Sequence, residues 1–138
     1  MCDEEERRKE EAREKALLLL KEDCTERNLW KCIEAFQGYP FYTVSGLPFT
    51  YSLKVGRDGR YRKELFIDRR ENSKSLAWSS IKMAFQKALE KQDTVFSRPK
   101  EIADVRGVSY SYSLLWRFGV IRVPEKAEKQ LEGGSETC

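Results

Sequence analysis

Between residues 48 and 68 the hydrophobic pattern takes up the period of a strand, and this change constrains the fold more than any other feature of the chain. In PFTYSLKV, Phe49, Tyr51, Leu53 and Val55 alternate with Thr50, Ser52 and Lys54, the two-residue repeat of a half-buried strand. GRDGR then supplies turn residues and KELFID resumes strand character, so residues 48–68 read as a β-hairpin. FYTVSGLP just before it reads as a further short strand, ended by Gly46 and Pro48.

The flanks carry helical signals. Residues 3–24 hold strong helix formers with no Gly or Pro, and acid-to-base pairs such as Glu5 with Lys9 and Glu11 with Lys15 stand four apart. Leu17 to Leu20 are bunched rather than spread in a stripe, which argues against a sustained coiled coil and for docking on the body or on a second copy. A second helix restarts after Thr25, a natural N-cap, with Leu29, Trp30, Ile33 and Phe36 on one side and Gly38 and Pro40 as stops. ENSKSLAWSSIKMAFQKALEKQ reads as a helix with Ser73 or Ser75 near its cap. A short helix opens at Pro99 with Ser97 as its cap, and SYSYSLLWRFG forms a last helix that ends at Gly119. The expected class is α+β: N-terminal helices, a hairpin or small antiparallel sheet, then three helices ending in a helix-turn-helix-like pair. Residues 1–24 would form a charged helical extension, 25–124 one domain, and 125–138 a flexible tail.

Several chemistries lack an anchor. The chain has no histidine, hence neither the usual general base for a Ser or Cys nucleophile nor the commonest metal ligand. Cys2, Cys24, Cys32 and Cys138 contain no C-x-x-C pair, and the phosphate-loop, dinucleotide and nucleophile-elbow motifs do not occur. The reading is therefore non-enzymatic, with no metal and no cofactor. No apolar run reaches bilayer length and the N-terminus is acidic, so a cytoplasmic protein without membrane association is expected.

Charge is uneven. Residues 1–29 carry seven Lys/Arg against ten Asp/Glu, a net −3, and since the chain totals +3 the remainder carries +6. Five bases, Lys54, Arg57, Arg60, Arg62 and Lys63, stand around the hairpin turn against one acid, Asp58, with Tyr61 among them. Such a ribbon can track phosphates and release counterions, although Lys and Arg also keep hairpins soluble and unpaired.

KEIADVRGVSYSYSLLWRFGVI holds a small residue, Ala103, then Gly107 four later, with Ile102, Val108 and Trp116 at apolar sites and Ser109 as an N-cap. Over about 20 residues this resembles the helix-turn-helix family; Arg106 and Ser113 depart from the family's usual apolar residues. The resemblance implies that Tyr110, Ser111, Ser113 and Arg117 face a major groove, with Lys100 and Arg106 near the backbone. The Ser/Tyr-rich helix offers little direct base readout.

The stretches YPFYTVSGLPFTYSLKV, ELFIDRR and RGVSYSYSLLWRFGVI resemble small uncharacterised proteins of mobile elements and phages of gut Firmicutes, over residues 29–124. What this implies is a setting, not an activity. Together these readings predict a small accessory or regulatory protein that binds nucleic acid, DNA foremost. The alternative is an inhibitor or adaptor that presents the same basic hairpin to an acidic or nucleic-acid-binding protein, such as a host defence nuclease. A homodimer through the N-terminal helix, with a purely structural role, is the third.

Overall fold

The computed structural model describes residues 2–68 and 73–133, with side chains from residue 4 and, after the gap, from residue 75. The chain divides into two compact units, residues 1–37 and 38–138, so the boundary falls after the second helix and not at residue 24.

The first unit is a helical hairpin. Helix α1 (Cys2–Glu22) and helix α2 (Glu26–Ala35) pack against each other. Thr25 caps α2 as its sequence requires, its hydroxyl accepting the Asn28 N–H at 3.3 Å. Asn28 in turn donates from its side-chain amide to the Asp23 carbonyl at 2.7 Å, closing the turn between the helices. Arg13 Nε donates to the Ala35 carbonyl at 3.2 Å, and its guanidinium lies 5.6 Å from the centre of the Phe36 ring. The charged N-terminal helix is therefore one half of a packed pair, with Ala16 and Leu20 buried and Leu18 exposed.

The second unit is an antiparallel sheet in the order β1-β2-β3-β4, with helices on one face. Strand β1 (Phe41–Tyr42) pairs with the start of β2 (Pro48–Val55), and β2 pairs with β3 (Tyr61–Asp68) as the alternation demands. Strand β4 (Ser73–Ala77) occupies a stretch that reads locally as the opening of a helix. Its backbone pairs with β3, and Leu76 is buried opposite Leu65, so satisfying the ladder groups along β3 outweighs the helical propensity of SKSLA. Helix α3 (Trp78–Glu90) then starts at Trp78 with no side-chain cap; Glu71 and Asn72 lie outside the described residues.

Phe49, Tyr51, Leu53, Leu65, Ile67 and Leu76 form the buried face of the sheet. Helix α4 (Val108–Arg117) crosses it: Gly107 passes over Leu76 of β4, Tyr110 meets Phe49 of β2 at 5.0 Å, and Ser113 reaches Tyr42 of β1. The expected flexible tail is helical over α5 (Glu125–Leu131), beside β1, with Ala127 and Leu131 buried. Residues 134–138 lie outside the described residues.

Candidate functional site

The short helix expected to open at Pro99 does so, but as a single 3-10 turn, Pro99–Glu101. It is followed by an irregular stretch up to Gly107. Gly107, not Ser109, stands at the N-cap of α4, in the left-handed region at φ 72°. A side chain there would be strained by the backbone and would strike Leu76. Glycine thus serves the sharp turn that the helix-turn-helix spacing implies, but only one of the two elements it joins is an α-helix.

That α-helix is the centre of the core. Val108, Tyr110, Ser111, Tyr112, Ser113, Leu114 and Leu115 are all buried, which leaves only Ser109, Trp116 and Arg117 partly exposed. The expected exposure of Tyr110, Ser111 and Ser113 is therefore overturned. Tyr110 packs edge-on against Phe49, the Ser113 hydroxyl donates to the Tyr42 carbonyl at 2.8 Å, and Ser111 is 0% exposed. A helix enclosed on nearly all sides has no face to place in a groove. Between these serines, the Tyr112 hydroxyl donates to the Phe96 carbonyl at 2.5 Å, and burial, with the Glu101 carboxylate nearby, pushes its pKa up to about 12. Arg117 is half-buried, its Nε donating to the Tyr39 hydroxyl at 3.0 Å with the guanidinium over that ring. Lys100 and Arg106 are exposed.

The basic hairpin keeps the character its sequence predicts. Lys54, Arg57, Arg60, Arg62 and Lys63 are all exposed, as are Tyr61 and Val55, which pair across the strands. The turn is built locally. The Gly56 N–H donates to the Arg60 carbonyl at 2.7 Å, the Asp58 carboxylate accepts the Arg60 N–H at 3.0 Å, and Gly59 takes φ 81°. The lone acid of the tip is thus committed to shaping the turn, a role that the Asp-Gly pair signals in sequence. A register shift between Leu53 and Val55 marks a bulge where the ribbon leaves the helix-covered part of the sheet. Lys54 Nζ stands 4.4 Å over the centre of the Phe66 ring, and Arg62 lies 3.8 Å from Glu64. These contacts set Lys54 and Arg62 on the sheet face away from α4, with Arg57 and Arg60 at the turn beside them.

The hairpin cations and Arg117 do not form one surface. Arg117 lies by Tyr39, next to β1, which pairs with the Pro48 end of β2. The basic turn follows Val55, seven residues on, about 23 Å along an extended strand. No general sequence signal reports such a pairing of Arg117 with Tyr39, 78 residues away.

Other chemistries find no support among the described residues. No group of three or more His, Cys, Asp or Glu could hold a metal ion, and no helix is long and apolar enough to cross a membrane. Burial and the neighbouring Cys24 push the Cys32 thiol up to about 12, and its Sγ donates to the Ala16 carbonyl at 3.3 Å. Cys24 is also raised, by burial and then by Asp23; neither is an activated thiolate. No protein-family model, no curated protein and no solved structure matches this chain.

Proposed function

We propose that this chain is a small non-enzymatic nucleic-acid-binding protein of a bacterial mobile element or phage, working in the cytoplasm and contacting DNA through the outer end of the β2–β3 hairpin. One observation carries the reading: five exposed cations surround the turn, and its only acid is engaged with the turn backbone. Exposed Tyr61 adds a ring on which an unpaired base can stack. With α4 buried, recognition rests on phosphate and DNA shape, not on base edges. Four to five neutralised phosphates give a log–log salt slope of about −3.6 to −4.5 on duplex DNA. Fluorescence anisotropy with labelled duplex and single-stranded oligonucleotides across a salt series measures it. Absence of binding to either at low salt would overturn the reading.

A second reading, an inhibitor docking on an acidic or nucleic-acid-binding protein, draws on Val55, 60% exposed beside Tyr61. An apolar and aromatic pair ringed by arginines also suits a protein interface. Co-purification from a bacterial lysate with and without nuclease separates the two: a partner retained after nuclease treatment favours the inhibitor.

A further inference from the structure

We infer that an open groove at the start of α4, lined by no residue of the hairpin turn, binds an amphipathic carboxylate: an apolar body ending in one carboxylate. The groove has a volume of about 700 Å³, within the range of small-molecule sites. Val44 from the β1–β2 connection, Pro99 from the 3-10 turn, and Val105 and Val108 at the entry to α4 make its walls apolar.

The polar groups at its rim select the sign of the ligand. Arg98 and Lys100 contribute two exposed cations and Glu101 one carboxylate. That carboxylate is already in use: one oxygen accepts the Ser97 N–H at 2.8 Å, and the other lies 4.0 Å from Arg98 Nε, at the outer limit of an ion pair. Lys100, beside it, is exposed. The N-terminus of α4 opens on the same groove without a side-chain cap and adds positive potential of the same sign. Apolar walls under a cationic rim match a carboxylate with an aliphatic or aromatic body. They disfavour a cation, which would meet Arg98 and Lys100, and a bare phosphate, which would leave the apolar walls unfilled.

Isothermal titration calorimetry of the full chain with decanoate tests this, with decyltrimethylammonium and inorganic phosphate as comparison ligands. The expected result is one decanoate per chain, with no measurable heat from the other two. The surface variant Arg98→Glu/Lys100→Glu weakens decanoate by about tenfold or more. Val105→Asp, at a half-exposed loop position, abolishes binding with the circular dichroism spectrum retained. Equal binding of the cationic amphiphile, no binding of decanoate, or indifference to both variants would overturn the inference. Arg57→Ala/Arg60→Ala leaves decanoate binding unchanged, so failure at the groove and failure at the hairpin are read separately.

Discussion

Two serines two positions apart in α4 do opposite things, although both were expected to face a groove. Ser113 donates to the Tyr42 carbonyl, tying α4 to β1, whereas the buried Ser111 hydroxyl has no hydrogen-bond partner among the described residues. Removing a satisfied donor strands its acceptor, while removing an unsatisfied hydroxyl relieves a desolvation cost. Ser113→Ala therefore destabilises by about 1 kcal/mol and Ser111→Ala stabilises by about the same, read as opposite shifts of the thermal midpoint. Neither changes DNA affinity, because neither side chain reaches the surface. Tyr112 between them supplies a pH dependence. Its pKa is raised from 10 to about 12, so the folded state keeps a proton that the unfolded chain loses. The resulting stability is whole below pH 10 and is lost as pH rises through 12, by about 2 to 3 kcal/mol. Denaturant melts at pH 9, 10.5 and 12 show this loss in the parent chain and a smaller one in Tyr112→Phe, which also starts lower for want of the hydrogen bond to Phe96.

At the level of elements, what local period and turn chemistry determine was legible and what tertiary pairing determines was not. The hairpin over 48–68, the cap at Thr25 and the stop at Gly119 follow from alternation, capping and glycine, which act over a few residues. Ser73–Ala77 shows the limit: its residues suit a helix N-terminus, but β3 offers them a ladder, and no local pattern reports that offer. Helix α4 fails for a related reason. Its serines and tyrosines look polar on a helical wheel, yet Tyr112 and Ser113 find carbonyls on Phe96 and Tyr42, 16 and 71 residues away, that make burial tolerable. Helix α5 has a short apolar signal, Ala127 and Leu131, that gains meaning only beside β1. Leu131, 4% exposed, anchors it, so Leu131→Ala costs about 2 to 4 kcal/mol by urea denaturation. At the hairpin, Gly59 has open space around it but φ 81°. Gly59→Ala thus costs about 1 to 2 kcal/mol through the backbone alone and loosens the turn that gathers the arginines, lowering DNA affinity.

Across the molecule, the hairpin cations and Arg117 stand too far apart to act as one surface. The hairpin turn follows Val55, whereas Arg117 meets Tyr39, near β1, which pairs at the Pro48 end of β2. The length of β2 separates them by about 23 Å, against a screening length of about 8 Å at physiological salt. Charges so placed contribute independently, and a short duplex laid along the hairpin end gains nothing from Arg117. This makes the salt slope a map of the interface. Arg57→Ala/Arg60→Ala removes two neutralised phosphates and flattens the slope by about 1.8, whereas Arg117→Ala leaves it unchanged. The triple variant matches the hairpin variant alone, as additivity of distant sites requires. If Arg117→Ala flattened the slope and Arg57→Ala/Arg60→Ala did not, the hairpin would not be the contact surface, and the β1 side of the sheet would have to carry the binding instead.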